Sequence, residues 1–157
     1  MPMYYDVSQR AITAGTSETV QINFLTGTSK PTCSITGVFA NSVGSTAGGC
    51  VFTGSTFATA GTSSGTAVTP GKRNPNNAAA QVVANVAAIT TTGSSTRTVR
   101  IVVGFAQTGG QGGWVAVTPD TALQLVAGGG TNGYAEFASL ANAASQTYNY
   151  TIEFYEN

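Results

Sequence analysis

The sequence predicts an all-β domain folded as an antiparallel β-sandwich, and three stretches carry that expectation. In "YNYTIEFYE", Tyr148, Tyr150, Ile152 and Phe154 fall on one side of an extended chain, with Asn149, Thr151, Glu153 and Tyr155 on the other. That period of two is the signature of a strand with one buried and one wet face. Val20, Ile22 and Phe24 alternate in the same way with Thr19, Gln21 and Asn23, as do Val99, Ile101, Val103 and Phe105 with Arg100, Val102 and Gly104. Three separated strands that each carry one apolar face need a second apolar face to cover them, which two packed antiparallel sheets supply.

Taken in order, the strand-forming runs are Tyr4 to Ser8, Thr19 to Leu25, Cys33 to Ala40, Val51 to Phe57, Gln81 to Ile89, Thr98 to Gln107, Trp114 to Val117, Ala122 to Ala127, Ala135 to Leu140 and Tyr148 to Tyr155. Each is rich in Val, Ile, Thr, Phe or Tyr and bounded by Gly, Ser or Asn clusters. Those clusters, "GSTAGG" from Gly44, "GTSSG" from Gly61, "TGGQGG" from Thr108 and "GGGTNG" from Gly128, supply the reversals. In "TPD", Pro119 fixes φ at the second position of a turn. Helix signal is confined to "NNAAAQVVANVAA", where the β-branched Val82, Val83 and Val86 oppose it. A turn or short helix near Asn77 to Ala80, leading into a strand, is the expectation there.

At 157 residues the chain suits a single domain, 1–157. Only 8% of it is charged, six basic side chains balance six acidic ones, and 41% is hydrophobic, so it has the means to fold but a surface of Thr, Ser, Asn, Gln, Gly and Ala. Such a surface repels its own copies weakly, and its short side chains lose little entropy in an interface. Assembly and resistance to proteases outside a cell both fit. Six scattered cations cannot form a nucleic-acid face. The longest apolar runs, such as "IVVGFA" from Ile101, fall far short of the ~20 residues of a spanning helix, and "MPMYYDVSQR" lacks the layout of a secretory signal. Cys33 and Cys50 flank a turn-rich segment that could fold as a hairpin and bring them together; two reduced, buried thiols are favoured over a disulfide.

The residue inventory is poor in chemistry. Histidine is absent, which removes Ser-His-Asp and Cys-His systems and most transition-metal sites. No Asp-rich loop suits calcium, no glycine loop carries the lysine of a P-loop, and no cofactor is expected. A carboxylate pair is the remaining acid-base option, for example Glu136 with Glu153 on neighbouring strands. Trp114, beside a glycine loop, is either a platform for a sugar ring or a plug in the core or at a subunit contact.

One further stretch needs an explanation: "TAVTPGKRNPNNAAAQ" places Lys72 and Arg73 in a proline-punctuated loop of a charge-poor chain. It is followed by "GGWVAVTPDTALQLVAG" and the terminal "YNYTIEFYE". In this order of pieces the chain resembles a diffuse family of small tailed-phage virion proteins, over roughly Thr66 to Glu156. The usual member carries more charge. The resemblance implies a β-sandwich of jelly-roll type and a structural role in the particle, that of a capsid decoration (cement) protein on the outer shell. Such proteins commonly sit as trimers against the major capsid protein and are assembled in the host cytoplasm. A tail or neck structural protein is the alternative in the same class, and a carbohydrate-binding module the alternative in another. On this reading 58–80 is a long ordered loop. Lys72, Arg73, Asn74 and Pro75 become docking candidates, with the basic pair reaching acidic groups of a neighbouring subunit. Tyr4 and Tyr5 join them in a segment, 1–15, that is either an arm crossing to a neighbour or an ordinary first strand.

Overall fold

A computed structural model of the chain describes residues 2–25, 32–45, 47–57, 65–86, 97–106, 109–126 and 134–156. They form strands β1 (Met3–Ala14), β2 (Thr19–Leu25), β3 (Cys33–Ser42), β4 (Gly49–Phe57), β5 (Thr66–Val68), β6 (Gly71–Lys72), β7 (Val83–Val86), β8 (Arg97–Ala106) and β9 (Gln111–Val115). A 3-10 turn (Pro119–Thr121) follows, then β10 (Leu123–Leu125), β11 (Tyr134–Ala141) and β12 (Gln146–Glu156). The first sheet runs β10-β3-β12-β1-β6, with β9 also paired to β3; the second runs β5-β7-β2-β11-β4-β8. All pairings are antiparallel. The long strands are ordered β1-β12-β3-β9 in one sheet and β2-β11-β4-β8 in the other. That is the winding of a jelly roll, in which one long antiparallel ribbon is rolled so that successive strands alternate between sheets.

The period-two runs deliver most of the core as expected, but Val99, expected inside, is exposed beyond the irregularity between Gly54 and Ser55 that shifts β8 against β4, and Tyr155, expected outside, is buried. On β12, Tyr148, Tyr150, Ile152 and Phe154 are buried, while Asn149, Thr151 and Glu153 are partly exposed. Their rings continue a file through the interior. Tyr5 stacks on Phe154, Phe154 meets Phe24, Phe24 meets Phe137, and Phe137 stacks on Phe52. Phe52 then stacks on Tyr150 at 5.0 Å, and Tyr148 and Phe105 close the file. Each such pair contributes about 0.5–1.5 kcal/mol beyond its buried area, so the two sheets are joined along their length.

Several boundaries differ from the sequence expectation. The N-terminal segment, open between arm and strand, is a strand here, seated between β12 and β6. It runs on to Ala14 through a bulge between Gln9 and Ile12. Ala11 sits there at φ 53°, with its N–H donated to Asn149 Oδ1 at 2.9 Å. An alanine in the left-handed region is strained, so Ala11→Gly should raise the unfolding free energy by about 0.5–1 kcal/mol, seen as a higher urea midpoint at unchanged slope. The turn expected at 77–80 lies three residues earlier. Asn74 C=O accepts the Asn77 N–H at 3.0 Å, and Asn74 Oδ1 accepts the Asn76 N–H at 3.0 Å, with Pro75 between. The expected loop 58–80 contains β5 and β6, its residues 58–64 lying outside the described residues, as do 87–89 of the expected strand after Gln81. The "TPD" turn forms as read, with Thr121 Oγ1 bonded to both the N–H and the C=O of Thr118.

The hairpin expected between the cysteines does not form, because β3 and β4 belong to different sheets. Cys33 pairs with Glu156 at one end of the sandwich. Cys50 pairs with Phe105, whose ring meets Tyr148, the partner of Ser42 at the other end. From Cys33 to Ser42 is nine residues of strand, roughly 25–30 Å, against the ~7 Å that a disulfide allows. Both are free and buried. Burial holds the Cys33 thiol pKa well above its ordinary value, and the Glu156 charge adds to the effect.

Candidate functional site

The Pro-Asn loop is joined to the first sheet at four points. Two-residue β6 pairs with β1, placing Lys72 opposite Tyr5. The Arg73 N–H bonds to Tyr4 C=O at 3.1 Å. Farther on, the Tyr5 hydroxyl donates to Ala78 C=O at 3.0 Å. Beyond that, the buried carboxylate of Glu156 accepts the N–H groups of Gln81 (2.9 and 3.1 Å) and Val82 (2.7 Å). Between these anchors Lys72, Arg73, Asn74, Pro75 and Asn76 stand exposed. With Pro2 and Tyr4, residues Arg73, Asn74 and Asn77 line a groove of about 400 Å³. Tyr4 is 47% exposed, its ring 5.5 Å from that of Tyr155.

Arg73 does not reach outward as the loop reading supposed. Asp6 and Glu153 face each other directly across β1 and β12, and like charges in that position repel. Arg73 lies over both, with Nε 3.7 Å from Asp6 Oδ2 and an ion-paired hydrogen bond from its other end to Glu153 Oε1. Its acidic partners are therefore in its own chain. Arg73→Ser should cost about 1 kcal/mol, part of it recovered by salt, because it exposes the repulsion as well as losing the bridge. Lys72→Ser should stay within about 0.5 kcal/mol of the parent in the same urea titration. Lys72 is the basic side chain of the loop left facing solvent, and on an edge strand it also discourages strand pairing with other chains.

Of the other candidates, Tyr5 is fully buried in the ring file, and burial with the nearby Glu156 charge raises its pKa. Trp114 lies opposite Val38, on the inward side of β9, and packs against the core. That is the plug reading; a sugar platform on its ring would need the other face of the strand. Lys72, Arg73, Asn74, Pro75 and Tyr4 thus form one patch, while Tyr5 supports it from below and Trp114 is across the sheet.

Apart from Asp6 and Glu153, which Arg73 bridges, the carboxylates are dispersed. Glu136 is in the second sheet and Glu153 in the first, so the dyad considered from sequence is not brought together. Glu136 is instead buried at the end of a hydrogen-bonded chain: Asn85 Nδ2 donates to Asn23 Oδ1 (3.1 Å), Asn23 Nδ2 to the Tyr134 hydroxyl (3.3 Å), and that hydroxyl to Glu136 Oε1 (2.6 Å). Glu18 bonds to Arg97. Among the described residues no three His, Cys, Asp or Glu side chains cluster as metal ligands, and no helix is long and apolar enough to cross a membrane. No local pattern points to the Glu156 clamp, because its donors, the Gln81 and Val82 N–H groups, lie 75 and 74 residues away. No protein-family model matches the chain, and no curated protein matches it in sequence.

Proposed function

We propose that the chain is a structural virion protein of the capsid decoration type, which docks on the outer shell through the Tyr4–Lys72–Asn74–Pro75 patch and strengthens it by bridging capsomers. The observation that carries this reading is the anchoring of the exposed loop. A loop already fixed by β6, by the Asn74 turn and by the Glu156 clamp loses little entropy when bound. The low-charge surface of short side chains serves the same end in contacts between copies, and the partner would be the major capsid protein with the decoration protein as a homo-oligomer, by analogy a trimer.

The test is to measure the mass of the purified protein by light scattering, add it to tailed-phage capsids lacking a decoration protein, and image the particles. A discrete oligomer at regular lattice positions, with occupancy reduced in Lys72→Ser and Asn74→Ala, is the expected result. Bare capsids, or occupancy unchanged in both variants, would remove the proposal. Lys72 is the cleaner probe because Arg73 also holds the sheet together.

A further inference from the structure

A second feature of the first sheet lies outside the docking patch. Phe39 of β3 is turned to the outer face and leans across two glycines, Gly37 on its own strand and Gly113 directly opposite on β9. A Cβ at Gly37 would stand 2.9 Å from Phe39 Cε2, and one at Gly113 2.9 Å from Cδ1. With glycine at both places the ring can lie down on the sheet. It remains 37% exposed, one side on backbone and the other open to solvent.

Beside the ring is a cleft of about 310 Å³, lined by Phe39, Asn41, Gln111, Gly113 and Thr151 among others. Small-ligand sites begin near this size, about 300 Å³. The register puts these groups on one face: Phe39 is opposite Gly113 and Thr151, and Asn41 is opposite Gln111. No lining residue is charged. The nearest charge is Glu153, whose Oε2 stands 3.2 Å from the Cβ position at Gly37 and whose carboxylate is neutralised by Arg73, so an ion gains little here, whereas two carboxamides and the Thr151 hydroxyl, itself bonded to Ser8 at 2.8 Å, offer donors and acceptors to a neutral polyol. A ligand that fits must be apolar on one flat side, to cover the ring, and hydroxylated at its rim. A pyranose ring has that construction.

We propose that this cleft binds a neutral hexopyranose unit of a glycan, its C–H face stacked on Phe39 and its hydroxyls held by Asn41, Gln111 and Thr151. The cleft spans β9, β3 and β12; Phe39, Asn41 and Gln111 on β3 and β9 stand two to three strand spacings, about 10–14 Å, from β1, and neither Lys72 nor Asn74 lines it. Capsid attachment and sugar binding are thus separable, and either can fail without the other.

The test applies the full chain to a printed array of neutral hexose and N-acetylhexosamine oligosaccharides, then follows amide shifts on titrating the retained sugar into labelled protein. Expected are retention on at least one neutral glycan, shifts centred on Phe39, Asn41 and Gln111, and a tenfold or greater loss of affinity in Phe39→Ala and in Asn41→Ala. Gly37→Ala should weaken binding as well, by lifting the ring while leaving it in place, and Lys72→Ser should not change it. If Phe39→Ala does not fold, the rim variant Asn41→Ala decides. The proposal is overturned if no glycan is retained, if affinity is unchanged in the foldable variants, or if Phe39→Ala turns an oligomer into monomers, which would make the ring a subunit contact.

Discussion

Glu156→Ala is expected to lower the unfolding free energy by about 3–4 kcal/mol, or roughly 6–15 °C in Tm. The carboxylate is fully buried and accepts the N–H groups of both Gln81 and Val82 at the point where the docking loop turns into β7. Hydrogen bonds to a charged acceptor contribute about 1.5–3 kcal/mol each, and a buried N–H left without an acceptor costs about 1–3. Glu156→Gln retains one acceptor oxygen but turns an NH₂ group toward the backbone donors, so its loss should be about half as large. Thermal melts measure the size, and hydrogen exchange locates it: the Gln81 and Val82 amides should open far faster in the alanine variant than the amides of β11. A variant within 0.5 kcal/mol of the parent, with those amides still protected, would falsify the anchoring role and remove the support for a pre-ordered loop.

The second large effect is with alkali. Tyr134, Tyr148 and Tyr150 are buried, and burial pushes each phenol far above the ordinary value of 10.0; the hydrogen bond to Glu136 and its charge raise Tyr134 further. A phenol with a higher pKa folded than unfolded keeps its proton in the native chain when the unfolded chain has lost it. The stability this represents is intact below about pH 10, the unfolded value, and drains as pH rises above it. Each group removes about 1.4 kcal/mol per pH unit, so the three together remove roughly 4, and Tyr5 and Cys33 shift in the same direction. With a total stability of about 5–15 kcal/mol, the fold should collapse within about one to four units above pH 10. Phenolate absorbance should rise together with the loss of far-ultraviolet circular dichroism. A smooth titration near pH 10 that leaves the strand signal intact would contradict the burial of these rings.

The sandwich was legible because β2, β8 and β12 each carry several apolar residues in unbroken alternation, and that pattern belongs to one secondary structure. Alternation fails to predict burial at Val99, where β8 shifts against β4, at Tyr155, whose ring meets that of Tyr4, and where polar residues find partners. Asn23 sits at an outward register position and is nonetheless buried, bonded to Asn85 and Tyr134. β1 was read too short because the bulge at Ala11 breaks its period. At the candidate site a turn in the Pro-Asn loop is legible but is expected three residues too late, at 77–80, and the partners of Arg73 are not legible at all, since Asp6 and Glu153 are distant in sequence and meet only through the ladder. Trp114 drew attention by its residue type and Phe39 drew none. Which of them faces outward is decided by the register of β9 on β3, and no local signal contains that register.

The pairing of β1 with β12 also governs how the protein is made. The middle of the first sheet joins Met3–Ala14 to Gln146–Glu156, with Ser8 bonded to Thr151 across 143 residues, so a ribosome must pass β12 before that ladder can close. Contacts over such separations make folding slow. Until they form, the alternating strands already released have open edges and an uncovered apolar face. Folding is then expected to wait for the synthesis of β12, with the protein passing from an aggregation-prone nascent state to the finished sandwich once that strand is free to pair.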